Sequence, residues 1–188
     1  MMLTIVLIFI LSILLSILIA FILIYNKFQR LDNGAEAGLS QIKVALKKRL
    51  DMITQLADVV KSYAKFERKV IENVTKMRSL VKDDIGPRKI DKINKESGEI
   101  LKRIFLVVES YPDLKASKNF NDLMESIEDV EGEISRQRYT YNNIVQEYNT
   151  RLETIPSNIV AKIFSYKKLE YLKFKKDINK NPELEMTG

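Results

Sequence analysis

The sequence predicts an all-α protein, in which an N-terminal transmembrane helix is followed by an up-and-down antiparallel helical bundle. The bundle is expected to be of the four-helix type, with three long helices and a short C-terminal one. Three observations support this fold class. Residues 1–26 carry no charged side chain. Apolar residues in the rest of the chain recur at alternating steps of three and four, the spacing of one helical face. Only 6 Gly and 4 Pro occur in 188 residues, so few positions favour a helix break.

The apolar segment at residues 3–24 is a candidate membrane anchor. Its polar members are one Thr and two Ser. A helix of this length spans about 33 Å, which is enough to cross a bilayer core. A cleaved signal peptide is the alternative, but the segment lacks a positive n-region and is too long for a signal peptide's apolar core. We therefore assign residues 1–26 to a transmembrane anchor in the cell membrane.

Flanking charge predicts the orientation of this anchor. Lys27 and Arg30 follow the apolar segment closely, and no Lys or Arg precedes it. Positively charged side chains near the end of a membrane span favour the cytoplasmic side. We therefore expect a single-pass protein with its N-terminus outside the cell and its bundle in the cytoplasm.

Beyond the anchor, the chain is predicted to have three parts. Residues 27–37 are expected to form a juxtamembrane hinge, because the dipeptide Asn33-Gly34 is typical of turns. Residues 38–176 are expected to form the bundle, and residues 177–188 a frayed tail.

Three apolar stripes predict the long helices of the bundle. The first stripe covers residues 39–82 and predicts one long helix, the second covers residues 90–111, and the third covers residues 120–155. No stripe can be buried without the others. A period close to 3.5 residues favours left-handed, up-and-down packing.

Proline residues mark the ends of the second and third stripes. Pro112 is predicted to end the second helix in a structural corner, with Tyr111 pushed towards extended geometry. Asp113 can accept hydrogen bonds from backbone N–H groups of that corner. Pro156 interrupts the third stripe, and Ser157 is predicted to cap the short helix after it.

Three positions that follow the spacing of the apolar stripes hold charged residues instead: Arg49, Glu67 and Arg151. A buried charge without a partner is costly, so each side chain must pair or reach solvent. We expect each charged group to reach water, because long charged side chains are seldom fully buried. A specific buried ion pair is the alternative.

Two Tyr-Asn pairs lie seven residues apart on the third stripe and share one helical face. They are Tyr141-Asn142 and Tyr148-Asn149. Asn is a poor helix former, so its presence there needs another reason. One interpretation is a recognition strip, and the other is hydrogen bonding at the rim of the core.

The residue types exclude most catalytic chemistry. The chain has no His, which is the commonest general base and metal ligand. It also has no Cys, which supplies thiolate nucleophiles and metal-binding thiolates. Its glycines are isolated, so no phosphate-binding loop is present. An acidic cluster at residues 125–133 is expected to be a solvated face, with a carboxylate-only metal site as the alternative. We expect no catalytic, cofactor-binding or metal-binding site.

A basic segment at residues 162–180 has seven Lys against two acidic residues, interleaved with aromatic residues. Such a pattern suits contact with anionic lipid or with an acidic protein surface, whereas nucleic acid is not expected for an anchored protein. An odd number of long helices would place this segment far from the membrane, so we expect weak lipid binding at best. The candidate contacts with an anionic partner are Lys167, Lys168, Lys173, Lys175 and Lys176.

Three segments in order carry a family resemblance: residues 40–67, 107–120 and 136–164. The most specific strings are Tyr-Pro-Asp-Leu-Lys-Ala and Tyr-Asn-Thr-Arg, the latter followed by Pro-Ser-Asn. On the basis of these segments and strings, the chain resembles the LemA family of small membrane-anchored proteins. The resemblance implies a four-helix-type bundle on an N-terminal transmembrane helix, in a family without established enzymatic activity. The family-motif positions are Tyr111, Pro112, Asp113, Tyr148, Asn149, Arg151, Pro156, Ser157 and Asn158.

These features together predict a membrane-anchored, non-enzymatic scaffold or protein-interaction module. A single-pass sensor that passes a conformational change along its long first helix is the alternative. The partner is expected to be a protein of unknown identity. Ser12, Ser16 and Ala20 are spaced four apart, as in close helix pairs. That spacing suits either a weak homo-oligomer or a chance arrangement of small residues.

Overall fold

The computed structural model describes residues 1–62, 68–82 and 84–173, with the backbone alone at 68–71. The predicted tail at 177–188 and the candidates Glu67, Lys175 and Lys176 lie outside these residues. The described residues form helices and no strand, so the all-α prediction is confirmed. The helices are α1 Met2–Lys61, α2 Arg68–Leu80, α3 Pro87–Val108, α4 Pro112–Lys115, α5 Lys118–Glu153 and α6 Ser157–Ile163.

Helix α1 is continuous from the apolar segment into the bundle. Its 60 residues correspond to a length of about 90 Å. The prediction of a hinge at residues 27–37 is wrong, because the helix passes through Asn33-Gly34 unbroken. Tertiary packing explains this: Leu31 and Ala35 are buried, and Gly34 faces Ile144 of α5, whose Cδ1 would lie 3.6 Å from a Cβ placed on Gly34. Packing along a helix face outweighs the low helix propensity of one dipeptide.

The first apolar stripe belongs to two helices rather than one. Helix α1 ends at Lys61, and α2 returns along it, so that Arg78 Nε lies 2.7 Å from Asp51 Oδ1. In one straight helix these residues would be about 40 Å apart. The prediction of a single helix over residues 39–82 is therefore wrong. Val74 and Met77 of α2 are buried in the same core as α1.

Helices α1, α2, α3 and α5 form an up-down-up-down bundle. Helix α5 runs antiparallel to α1, with Lys27 beside Glu147 at one end and Arg49 beside Glu131 further along. Helix α3 starts with Asp91 beside Arg138 and continues to Gly98 beside Arg49, so it runs antiparallel to α5 and parallel to α1. The fourth bundle helix is thus α2, and the short C-terminal α6 is additional to the four.

Arg49 is enclosed in the core, where its side chain is 2% exposed. Its Nη2 lies 2.6 Å from Glu131 Oε1, and its Nη1 donates a hydrogen bond of 2.7 Å to Asn94 Oδ1. Burial lowers the pKa of Arg49, and the Glu131 carboxylate opposes that change. The expectation that Arg49 reaches solvent is therefore wrong. Gly98 on α3 leaves room for the guanidinium, because a Cβ there would lie 3.4 Å from Nη2.

Candidate functional site at the anchor end of the bundle

Helix α5 returns to the point where the apolar segment ends. Glu147 Oε1 lies 2.9 Å from Lys27 Nζ of α1 and 3.1 Å from Arg151 Nη2 of its own helix. The hydrogen bond from Lys27 lowers the pKa of Glu147 most, and Arg151 lowers it further, although partial burial opposes both. The carboxylate therefore stays ionised near neutral pH and holds α5 to α1 at this end.

An aromatic cluster joins α1, α5 and the chain after α6. The ring of Phe164 lies 4.8 Å from that of Tyr25 and 6.0 Å from that of Phe21. Tyr166 packs on Phe28 at 5.0 Å and accepts a hydrogen bond of 2.8 Å from Gln29 Nε2. The cluster comprises Phe21, Tyr25, Phe28, Tyr148, Phe164 and Tyr166.

The position of this cluster corrects the expectation that the basic segment begins far from the membrane. Phe21 is part of the apolar segment at residues 3–24, and Phe164 packs against it. The reason is topological. The reversal into α2 divides the first of the three predicted long helices in two, so four bundle helices precede α6, and an even number returns the chain to its starting end.

Helix α6 leaves apolar side chains uncovered at that same end. Ile155, Ile159 and Ile163 are 81%, 57% and 61% exposed. Val160 and Ala161, on the other face, are buried. The short helix thus has one face against the bundle and one apolar face directed away from it.

The chain then forms an extended strap, residues 166–173, that runs along α5 away from the anchor. Asn149 Nδ2 donates to Leu169 O at 3.0 Å, and Leu169 N donates to Asn149 Oδ1 at 2.9 Å. Asn142 makes the same pair of bonds with Leu172, at 2.8 and 2.9 Å. Seven residues of a helix and three residues of an extended chain both rise about 10 Å. The spacing of Asn142 and Asn149 on α5 therefore equals the spacing of Leu172 and Leu169 on the strap.

Other groups fix the distal half of the strap. Tyr141 Oη donates to Glu170 O at 2.8 Å, and Lys173 N donates to Asp91 Oδ2 at 2.8 Å. Arg138 donates to Lys173 O and lies 2.9 Å from Asp91 Oδ1. The pKa of Tyr141 is raised to about 12, mainly by burial and further by the negative charges of Glu170 and Asp91. Tyr141 therefore keeps its proton, and the strap bridges α5 and α3.

The structure describes three of the five candidate lysines, and each of the three is in a different setting. Lys168 forms an ion pair with Glu153, which raises the pKa of Lys168. Lys167 is exposed, and Lys173 uses its backbone to hold the strap. A common anionic contact for the five lysines stays a prediction.

The motif residues around Pro156 hold the junction between α5 and α6. The Ser157 hydroxyl lies 2.7 Å from Arg151 O and 2.9 Å from Thr154 O. The prediction that Ser157 caps the short helix is wrong, since Pro156 is the N-cap and Ser157 satisfies carbonyls at the end of α5. Thr154 N–H donates to Thr150 O, which completes the end of α5.

The other motif residues lie at the opposite end of the bundle. Helix α3 ends at Val108, and Pro112 is the first residue of α4. Tyr111 O accepts hydrogen bonds of 3.1 Å from Leu114 N and Lys115 N. Asp113 lies in the first turn of α4, where a negative charge suits the helix dipole.

Pro112→Ala should lower the free energy of unfolding by about 1 kcal/mol. Tyr111 already has φ −130° and ψ 88°, outside the α region that a following proline disfavours. The substitution therefore acts mainly by giving the unfolded chain more freedom. Chemical denaturation of the purified protein measures this change, with exposed Asn121→Ala as the control. A loss well above that size would mean that Pro112 makes folded-state contacts of its own.

Among the described residues, no group of three or more acidic residues is placed to hold a metal ion. Within the same residues, α1 is the one helix long and apolar enough to cross a membrane, and its apolar segment is not buried by the bundle. The anchor candidate, the bundle and the strap together define a membrane-associated, helical-bundle class of protein.

The chain belongs to the LemA family, which it matches over residues 38–186. It is similar to Protein LemA of Metamycoplasma hominis, with 29% identity over 137 residues that cover 72% of this chain and 63% of that protein. It is also similar to the magnetosome proteins MamQ 2 of Paramagnetospirillum magneticum and MamQ of Magnetospirillum gryphiswaldense. Both are 22% identical to it, over 80% and 78% of this chain and 65% and 64% of theirs. The chain thus spans slightly less than two thirds of these relatives. LemA-family proteins are not known as enzymes.

Proposed function

We propose that this protein is a membrane-anchored, non-enzymatic scaffold that displays its helical bundle to a protein partner on the cytoplasmic face of the cell membrane. The observation that carries this proposal is the continuity of α1. One unbroken helix is both the anchor candidate and the first helix of the bundle. A bundle mounted in this way is held at a defined height from the membrane, where a partner can reach it.

A groove between α2 and α3 is the best candidate surface for the partner. Its volume is about 790 Å³. Met77, Leu80 and Ile93 provide apolar contacts inside it. Five cationic side chains and two carboxylates also line it: Lys76, Arg88, Lys89, Lys92, Arg103, Glu96 and Glu99. An amphipathic, acidic segment of a protein complements both features.

The height of this groove supports display away from the membrane surface. Ion pairing with Asp51 places α2 beside the second half of α1. Asp51 is 27 residues beyond the apolar segment, which corresponds to about 40 Å along the helix. A soluble partner could therefore reach the groove without touching the membrane.

A sensor is the second candidate function, and the same unbroken α1 favours it. A helix without a hinge can carry a rotation or a shift from the membrane into the bundle. Inserting two glycines after Asn26 separates the two functions. A scaffold keeps its partner, because two added residues leave the bundle anchored at nearly the same height, whereas a sensor loses its response, because the rigid connection along α1 is broken.

Proximity labelling from an enzyme fused to the C-terminus tests the scaffold in intact cells. We expect cytoplasmic proteins to be labelled, including a partner whose labelling falls several-fold when Lys89 and Lys92 are changed to Glu. Changing the exposed α5 residues Lys118 and Arg136 to Glu is the matched control and should leave that labelling unchanged. Labelling of external proteins would overturn the orientation, and equal labelling by both double variants would overturn the groove.

A further inference from the structure

We propose that α6 is a second membrane contact, whose apolar face enters the bilayer interface beside the anchor. The bundle then rests on the membrane through two elements rather than standing on one helix. This inference rests on the proposed anchoring of residues 3–24. It adds a lipid-binding surface and a fixed tilt of the bundle, which anchoring alone does not require.

The first argument is depth. Phe164 immediately follows α6 and packs on Phe21 and Tyr25. Phe21 lies inside the apolar segment, so a bilayer that covers this segment also reaches the level of Phe164. Aromatic residues such as Tyr25 and Tyr166 are favoured at the membrane–water interface. The aromatic cluster therefore places α6 where the headgroups meet the hydrocarbon.

The second argument is the exposed apolar face. Ile159 and Ile163 are one turn apart on α6, and Ile155 lies next to them before the helix begins. All three are mostly exposed, although isoleucine is among the residues most often buried. Because Val160 and Ala161 are fixed in the bundle, this face cannot turn inwards. Apolar side chains held in this way favour an apolar environment outside the protein.

The third argument is charge. Arg30, Lys162 and Lys167 are exposed near this end of the bundle. Lysine and arginine can keep their stems in an apolar layer while their charged groups reach the headgroups. An apolar helix face with cations beside it is the pattern of an interfacial membrane helix. The bilayer is favoured over a protein partner because this face is continuous with the anchor that the bilayer surrounds.

The absence of native cysteine allows a direct test with single-cysteine variants of the whole protein. Ile159→Cys reports on α6, Leu14→Cys on the anchor, and Leu106→Cys on an exposed apolar position of α3 far from the anchor. Each variant is labelled with an environment-sensitive fluorophore. The labelled proteins are placed in nanodiscs of phosphatidylcholine and phosphatidylglycerol, where both bilayer faces are open to solution.

We expect nitroxide-labelled lipid to quench the probes at residues 14 and 159, and aqueous iodide to quench the probe at residue 106 several-fold more than either. Lipid quenching at residue 14 with iodide quenching at residue 159 would overturn the contact of α6 while leaving the anchor intact. Iodide quenching at both residues would overturn the anchoring itself. A probe at residue 159 that is shielded only when cell extract is added would assign the face to a protein partner and overturn the lipid proposal.

Discussion

Replacing Glu131 by Ala should lower the free energy of unfolding by about 3 kcal/mol, whereas Arg49→Met should change it by less than about 1 kcal/mol. The two residues form one ion pair, yet they are unequally placed. The Arg49 side chain is 2% exposed and that of Glu131 is 43% exposed. The cost of breaking the pair therefore depends on which partner remains.

After the loss of Glu131, the guanidinium of Arg49 keeps one hydrogen bond to Asn94 and is still enclosed by the helices that bury it. A buried charge without its counter-charge is what makes such a substitution costly. After Arg49→Met, the Glu131 carboxylate is hydrated instead. The methionine side chain fills much of the same space with apolar contacts, as a flexible residue can do in a core.

Equilibrium denaturation of the purified protein in micelles measures both changes. Glu128→Ala, an exposed position on α5, is the matched control and should have little effect. The double variant Arg49→Met, Glu131→Ala should be close to Arg49→Met alone, because no buried charge is left. Equal losses in the two single variants would show that Arg49 reaches water in solution.

The same ion pair shows what residue type and apolar spacing do not determine. A charged residue on an apolar stripe predicts pairing or exposure, and residue type favours exposure. The deciding feature is Gly98 on α3, which leaves space beside Arg49. Residues 49, 98 and 131 come together through the order of helices in the bundle, which periodicity does not encode.

The apolar segment and the all-α class could be predicted because they depend on local pattern. The opposite directions of α1 and α2 could not, since the apolar spacing continues in phase from one helix to the other and the sequence has no Gly or Pro between residues 61 and 68. That one reversal changes the number of bundle helices. It also moves the chain after Pro156 from the far end to the anchor end, where Phe164 meets Phe21.

The Tyr-Asn pairs were recognisable as unusual, but their role depends on residues 20 and 30 positions later. Of the two interpretations, hydrogen bonding at the rim of the core describes what the amides do. The amides bond the backbone of the strap, which every residue type has, so no particular side chain in the strap sequence indicates these contacts. The spacing of seven on α5 was the available clue, because it equals the rise of three extended residues.

Asn142→Ala should lower the free energy of unfolding by about 2 kcal/mol, since each of its two hydrogen bonds is worth about 1 kcal/mol. It also leaves the N–H and C=O of Leu172 unpaired in a buried position. The local effect should be larger than the global one. Hydrogen exchange at the Leu172 amide should accelerate at least tenfold, because that amide loses its acceptor.

Asn142→Asp separates the two hydrogen bonds. The aspartate keeps an acceptor for Leu172 N–H but places a second oxygen against Leu172 O, so this variant should be at least as destabilised as Asn142→Ala. Asn149→Ala should have a smaller effect, because Leu169 is half-buried whereas Leu172 is buried. Asn143→Ala, one residue along and exposed, is the matched control. Unchanged exchange at Leu172 in Asn142→Ala would mean that Tyr141, Arg138 and Asp91 hold this half of the strap without Asn142, and that the Asn142 amide only fills the rim of the core.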